Sequence, residues 1–241
     1  MYVGVDGCRA GWLSVSDSGG ALQYAVFDTI RELAQAHSGA VLILLDIPIG
    51  LPGASCPVRP CDTAARKLLG SRACTVFSAP SRPAAHAEGI AEARLANMNA
   101  IDSSLSAQAW GICKKIAEVD DFLLTTPEAR GKVREMHPEI CFWSLNGRRA
   151  IPHSKKSGEG IAERLAVLEA IDPRTGALYQ KVLIDKPRKE VQRDDVLDAL
   201  VGCLTATALV TDNLLRLSGD PDQDERGLPM EMVYRAPTVF A

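Results

Sequence analysis

The chain has 241 residues, of which 46% are hydrophobic and 24% are charged. These values are close to globular averages and exclude a disordered or collagen-like chain. Its 27 basic and 30 acidic residues give a net charge of −3, which argues against binding to polyanions by overall charge.

The sequence carries no signal for a membrane or for export. There is no run of about 18 apolar residues, so we expect no transmembrane helix. The N-terminus lacks the basic and apolar regions of a signal peptide. The 7 cysteines are odd in number and irregularly spaced, which predicts reduced thiols in a cytoplasmic protein.

Three short strands are predicted at the start of the chain. Residues 2–5 form an apolar run that stops at Asp6, and the runs 11–16 and 22–27 alternate between apolar and polar residues. Short turns join the three strands. They therefore predict an antiparallel meander.

A helix and a buried strand are predicted next. Either Asp28 or Thr29 can cap the helix. The unbroken apolar run 41–45 predicts a strand that is covered on both faces. This strand ends at Asp46, because Pro48 prevents its continuation.

The rest of the chain mixes irregular segments with helices. Residues 50–100 combine cysteines, prolines and arginines and predict an insertion with short helices. The later predictions are a helix over 101–124, a strand over 132–136, a loop over 148–160, and helices over 161–171 and from 194 to about 217.

This order of elements is that of the ribonuclease H-like fold. In that α/β fold, three antiparallel meander strands are followed by parallel strands in one mixed sheet, with helices on both faces. We therefore expect a single ribonuclease H-like domain over residues 1–241, with the 50–100 insertion inside it.

Acidic residues stand at the ends of several predicted elements. Asp6 closes the first strand and Asp46 closes the buried strand, so their strand ends would lie about 5 Å apart if the strands are neighbours. Asp195 and Asp198 are three residues apart at the start of the long helix and share a face. Glu135 falls in the later strand.

Grouping these carboxylates favours a bound cation. Two carboxylates about 4 Å apart repel by about 4 kcal/mol at an effective dielectric of about 20, so one would otherwise take up a proton. Mg²⁺ and Mn²⁺ prefer such oxygen ligands. The plainer alternatives are a turn residue at Asp6, local backbone bonding at Asp46, a helix cap at either Asp194 or Asp195, and a solvent-facing Glu135.

Basic residues offer candidate contacts to phosphate, because arginine binds phosphate through two donors. Arg9 follows Asp6 closely, and the insertion contains four more arginines, Arg59, Arg66, Arg72 and Arg82. The alternative is a set of solvated charges, with Arg66 paired to Asp62 on one helix.

Two further groups are candidates for substrate binding. His137, between Glu135 and Glu139, can orient a water or act as a general acid, and Glu139 is an alternative to Glu135 as a ligand. Lys155 and Lys156 lie in a polar loop with two nearby arginines; they would contact nucleic acid or form a solvated loop.

Segments spread over most of the chain resemble one bacterial family of unknown function. They are residues 3–12, 46–52, 61–66, 70, 72–77, 135–139 and 194–199. The family is DUF429, whose members are classed as predicted ribonuclease H-like nucleases. The pattern Asp195-x-x-Asp198 also resembles the final acidic motif of bacterial Holliday-junction resolvases, which usually carry Glu in place of Asp46.

This resemblance implies a metal-dependent nuclease acting on DNA or RNA. Asp6, Asp46, Asp195 and Asp198 would then hold Mg²⁺ or Mn²⁺, with Glu135 as a fifth catalytic candidate. Two such ions can activate a water and stabilise the leaving oxygen of a phosphodiester. Arg9, Arg66, Arg72 and His137 are the candidate substrate contacts.

Two other functions remain open. A non-catalytic ribonuclease H-like module that binds nucleic acid or protein agrees with the acidic net charge and the aromatic content of 5%. Phosphoryl transfer from ATP is suggested by actin-like kinases, which also open with an Asp-Gly strand end. Those kinases need two facing domains, and the chain has room for one plus an insertion.

Overall fold

The computed structural model describes residues 1–217, 219–220 and 222–237. The chain forms two compact units. The first comprises Met1–Asp46, Gly131–Leu215 and Val233–Ala241, and the second comprises Ile47–Arg130 and Arg216–Met232. The predicted insertion at 50–100 lies within the second unit. The sequence predicts a single domain over residues 1–241. Within that range, residues 218, 221 and 238–241 lie outside the described residues.

The first unit contains a five-stranded mixed sheet in the order β3-β2-β1-β4-β5. Its strands are β1 (Tyr2–Cys8), β2 (Gly11–Asp17), β3 (Gln23–Phe27), β4 (Leu42–Leu45) and β5 (Val133–Glu135). The first three pair antiparallel, whereas β4 pairs parallel with both β1 and β5. The mixed sheet, its meander and its buried strand are therefore confirmed.

Within the described residues the chain has nine α-helices and one further pair of strands. The helices are α1 (Ile30–Ala36), α2 (Pro60–Leu69), α3 (Arg82–Ala85), α4 (Ile90–Ile101), α5 (Ala107–Thr125), α6 (Pro138–Leu145), α7 (Gly158–Ile171), α8 (Arg174–Asp185) and α9 (Arg193–Ala206). The strands are β6 (Leu214–Arg216) and β7 (Val233–Arg235). None of these helices is long and apolar enough to cross a bilayer.

Helix α9 packs closely across β1, β2 and β4. The contact with β1 depends on glycine, because a Cβ at Gly4 would lie 2.0 Å from the backbone nitrogen of Cys203. The apolar core between sheet and helices includes Leu42, Leu44, Met136, Leu197, Leu200 and Leu204. This packing brings the N-terminal turns of α9 towards the end of β1.

Helix α1 covers the opposite face of the sheet. Ser14 pairs with Val5 across β2 and β1, and its hydroxyl lies 3.0 Å from Nε2 of His37, which caps the C-terminal end of α1. The helix begins at Thr29, whose side chain accepts from the backbone N–H of Glu32. Helices on both faces are thus confirmed, and Thr29 is the cap of the two candidates.

The predicted long helix from 194 to about 217 is wrong at its C-terminal end. Helix α9 ends at Ala206 and a 3₁₀ turn covers Thr207–Thr211. Asp212 then adopts a left-handed φ of 55°, which an α-helix of L-residues does not continue. The chain enters β6 instead.

The predicted helix over 101–124 begins later than expected. Asp102 has a left-handed φ of 50° and ends α4. Ser106 starts α5, because its side chain accepts from the backbone N–H of Ala109. The left-handed Asp102 and the cap Ser106 therefore separate α4 from α5. Apolar spacing does not reveal this break, because it continues through both helices.

Candidate active site

The first two candidate aspartates lie side by side where the parallel pairing of β1 and β4 ends. The prediction that Asp6 closes its strand is wrong, because the antiparallel pairing with β2 continues β1 to Cys8, whereas Asp46 directly follows β4. Val5 pairs with Leu45, and the backbone N–H of Asp46 donates to the carbonyl of Val5 at 3.0 Å. Asp6 is therefore opposite Asp46 in the next position of the register. Asp6 is 8% exposed, and its Oδ1 accepts from the backbone N–H of Gly7 at 2.8 Å.

The other two aspartates come from the first turns of α9. Asp198 is fully buried, whereas Asp195 is half-buried. Oδ2 of Asp195 accepts from the backbone N–H of Gln192 at 2.8 Å, which satisfies one of the free donors at the start of the helix. Asp195 therefore has a capping role through its Oδ2.

A lysine from the predicted loop over 148–160 lies among these carboxylates. Nζ of Lys155 donates to Oδ2 of Asp198. The Lys155 side chain is 33% exposed, whereas that of Asp198 is 1% exposed. Within the described part of the chain no donor reaches the buried Oδ1 of Asp198.

The carboxylates raise one another's pKa values. Burial, followed by the charges of Asp46, Asp198 and Asp195, raises the pKa of Asp6 well above its ordinary range. Burial and the charge of Asp198 raise the pKa of Asp46 to about 7. Burial also raises the pKa of Asp198 to about 6, against the opposing effect of Lys155.

The same interactions act on the other members of the group. Burial raises the pKa of Asp195, while its bond to the Gln192 backbone opposes the rise. Burial disfavours the charged ammonium of Lys155, yet Asp198, Asp6 and Asp46 together raise its pKa above the ordinary value. The site, called the carboxylate pocket below, therefore groups the carboxyl groups of Asp6, Asp46, Asp195 and Asp198 with one ammonium, that of Lys155.

Glu135 and Glu139 occupy different places. Glu135 is buried and pairs with Leu45, so strand alternation puts it on the sheet face opposite to Asp46. Glu135 therefore does not join the four aspartates, and its catalytic role stays a prediction. The alternative of a solvent-facing Glu135 is wrong, because the residue is buried. Glu139 lies in the first turn of α6, and its charge raises the pKa values of Asp46 and Asp198.

A buried ion pair fixes Glu139. Arg164 of α7 is fully buried, and its Nη2 donates to Oε1 of Glu139 at 2.6 Å. Its Nη1 donates to the carbonyls of His153 and Gly160 at 3.1 and 2.9 Å. Arg164 thus joins α6 to the segment that carries Lys155.

The predicted substrate contacts are dispersed through the chain. Arg9 is exposed in the two-residue turn between β1 and β2. His137 is the N-cap residue of α6. Arg66 and Arg72 belong to the second unit, where Arg66 donates to the carbonyl of Val76 and to the hydroxyl of Ser78, both at 3.0 Å.

Two other arginines of the second unit have internal partners. The buried Arg59 donates to Asp62 at 3.0 Å. Arg82 bridges Asp120 and Asp224 at 2.7 and 2.6 Å. These ion pairs hold the second unit together, and the predicted pair of Arg66 with Asp62 is replaced by that with Arg59.

The arrangement of the carboxylates argues against a bound metal ion, whereas one unpartnered carboxylate oxygen argues for one. Among residues 1–217, 219–220 and 222–237, no three His, Cys, Asp or Glu side chains are arranged to hold a metal ion. The buried Oδ1 of Asp198 nevertheless has no hydrogen-bond partner among the described residues. A buried acceptor without a partner is costly, and a hard cation is the ligand that its oxygen suits.

Fold and site together define a mixed α/β protein with a cluster of buried and half-buried carboxylates beside its central strands. The chain matches the family described as protein of unknown function (DUF429) over residues 4–223 and belongs to that family. Comparison with curated proteins and with solved structures gives no match.

Proposed function

We propose that this protein is a ribonuclease H-like nuclease that hydrolyses phosphodiester bonds of DNA or RNA with Mg²⁺ or Mn²⁺. The observation that carries the proposal is the convergence of Asp6, Asp46 and Asp198. These carboxylates come from β1, from the residue that follows β4, and from α9, which are far apart in sequence. Their mutual effects on pKa mark them as one electrostatic group.

The sheet supports the fold part of the proposal. An antiparallel meander next to two parallel strands, in the order β3-β2-β1-β4-β5, agrees with the strand arrangement expected for a ribonuclease H-like domain. Asp6 and Asp46 lie where the parallel pairing of β1 with β4 ends, at the edge where open α/β sheets usually bind ligands.

Asp6, Asp46 and Asp198 would hold the ion, together with the uncapped oxygen of Asp195. The ion would activate a water and stabilise the leaving oxygen of the phosphodiester. A bound cation also favours the ionised carboxylates, so it would lower the raised pKa values of Asp46 and Asp198. Arg9, Arg66, Arg72 and His137 stay predictions for contacts to the nucleic acid.

The test is cleavage of labelled single- and double-stranded DNA and RNA by the purified protein in Mn²⁺ or Mg²⁺. We expect cleavage with at least one substrate and its loss by a factor of about 100 or more in Asp6→Asn, since a missing charge stabiliser typically costs that much. The matched control is Asp28→Asn, because Asp28 is an exposed aspartate of the same unit.

Equal activity of Asp6→Asn and Asp28→Asn would contradict the proposal. So would the absence of cleavage with every substrate in either metal. Thermal unfolding of each variant checks that activity is compared between folded proteins.

A second candidate function is a non-catalytic binding module that retains the fold. It is favoured by the ion pair of Lys155 with Asp198, because a lysine already neutralises part of the pocket. Such a module gives no Mn²⁺-dependent rise in unfolding temperature, whereas a site saturated at 100 times its Kd is stabilised by about 2.7 kcal/mol.

A further inference from the structure

The ammonium of Lys155 interacts with three of the clustered carboxylates. It donates directly to Asp198, and the charges of Asp6 and Asp46 act on it as well. Its neighbour Lys156 is exposed. The two lysines are adjacent in sequence, but only Lys155 has become part of the pocket.

The segment that presents Lys155 is held in place from both sides. Before the lysine, the carbonyl of His153 accepts from Arg164. After it, the Ser157 hydroxyl donates to the carbonyl of Ser154 at 2.9 Å and accepts from the backbone N–H of Gly160 at 3.0 Å. The hydrogen bonds at the start of α7 therefore fix the position of Lys155.

Gly160 shows how tightly this segment packs. A Cβ at this position would lie 2.0 Å from the carbonyl oxygen of Ser154. No side chain larger than hydrogen fits unless the backbone moves. The segment before α7 thus lies directly on the helix, at a distance that only glycine permits.

We propose that Lys155 is an internal counter-ion of the carboxylate pocket, and that a divalent cation binding there displaces its ammonium from Asp198. The inference rests on the cation site of the proposed function but does not require nuclease activity.

Charge and access both favour the exchange. One ammonium offsets one of the three close carboxylates, whereas a divalent ion offsets two and reaches oxygens that the lysine leaves open, such as Oδ1 of Asp198. The Lys155 side chain is 33% exposed, so its ammonium has direct access to water when it leaves. A flexible four-carbon stem allows that movement.

The test is the affinity for Mn²⁺, measured by calorimetry on the full chain without nucleic acid. We expect Lys155→Met to bind Mn²⁺ at least about tenfold more tightly than the wild type, because the competing charge is gone. Lys156→Met is the matched control, and Lys155→Arg retains the charge; both should bind Mn²⁺ like the wild type. Unchanged or weaker binding by Lys155→Met would overturn the proposal.

A second measurement needs no variant. Acetylation of the wild-type protein by an amine-reactive reagent, read by mass spectrometry, should increase at Lys155 when Mn²⁺ is added and stay constant at Lys156. Constant labelling of Lys155 at a Mn²⁺ concentration that saturates the protein would contradict displacement.

The outcomes separate this proposal from the proposed function. If Lys155→Met binds Mn²⁺ and the wild type does not, Lys155 excludes the cation permanently, which overturns both the displacement and the metal-dependent nuclease. If the wild type binds Mn²⁺ and cleaves nucleic acid while the lysine variants bind it equally well, the counter-ion role fails and the nuclease stands.

Discussion

Replacing Asp46 by asparagine should stabilise the protein at alkaline pH in the absence of metal. Asp46 has a pKa raised from 3.8 to about 7 in the folded state. Between these values the folded protein binds more protons than the unfolded chain. Its stability therefore falls as the pH rises through this window.

The size of the effect follows from the two pKa values. A tenfold difference in proton affinity between the folded and unfolded states corresponds to about 1.4 kcal/mol. An acid with a pKa near 4 in the unfolded chain and near 7 in the folded protein therefore lowers the free energy of unfolding by about 2.5 kcal/mol between pH 5 and pH 8. Asparagine removes this cost, so the stability advantage of Asp46→Asn should grow by up to that amount between the two pH values.

Thermal unfolding in chelator at pH 5 and pH 8 measures the difference. For a chain of this size the change corresponds to about 5–10 °C in midpoint. Asp28→Asn again serves as control, since this exposed residue should give the same small change at both pH values. The reasoning is refuted if the difference between Asp46→Asn and the wild type is the same at pH 5 and pH 8.

Three further predictions concern packing and capping, each read by urea unfolding. Arg164→Met should destabilise by about 3–5 kcal/mol, because it leaves the buried Glu139 unpaired; a loss below about 1 kcal/mol would mean that Glu139 is solvated. Gly4→Ala should cost at least about 2 kcal/mol by forcing α9 away from β1, whereas Gly20→Ala, which has open space, should be nearly neutral; equal losses would contradict the close approach. Thr29→Ala should cost about 1 kcal/mol as a lost helix cap, and no loss would show that the cap is dispensable.

Local sequence patterns were sufficient for the sheet and for the first two aspartates. The alternating runs and the uninterrupted 41–45 run are short-range signals of strands. Asp6 and Asp46 directly follow apolar runs, so their meeting required only that two strands be neighbours. The parallel pairing of β1 and β4 satisfies that requirement.

Long-range features lay beyond such patterns. The register that pairs Glu135 with Leu45, and so turns Glu135 away from Asp46, depends on how two distant strands align. The roles of Lys155 and Arg164 depend on the packing of α7, and nothing in the run Lys155-Lys156 distinguishes the half-buried lysine from its exposed neighbour. The only sequence signal for this packing is Ser157 followed by Gly160. Serine fits a helix cap, and glycine fits the close approach of the preceding segment to α7.

Helix ends were the other source of error. Apolar spacing carried the last helix too far, because Leu204 and Leu209 fit one periodic surface. The left-handed backbone at Asp212 lies in the polar run Thr211-Asp212-Asn213, and aspartate is one of the few residues besides glycine that adopt this conformation, though only occasionally. Propensity alone does not locate such a residue.

The most direct test of the central claim is anomalous diffraction from a crystal of the wild-type protein soaked in Mn²⁺. The account predicts an anomalous peak within about 2.0–2.3 Å of carboxylate oxygens of Asp6, Asp46 and Asp198. Peaks confined to other surfaces, with this pocket still closed by protein side chains, would contradict it.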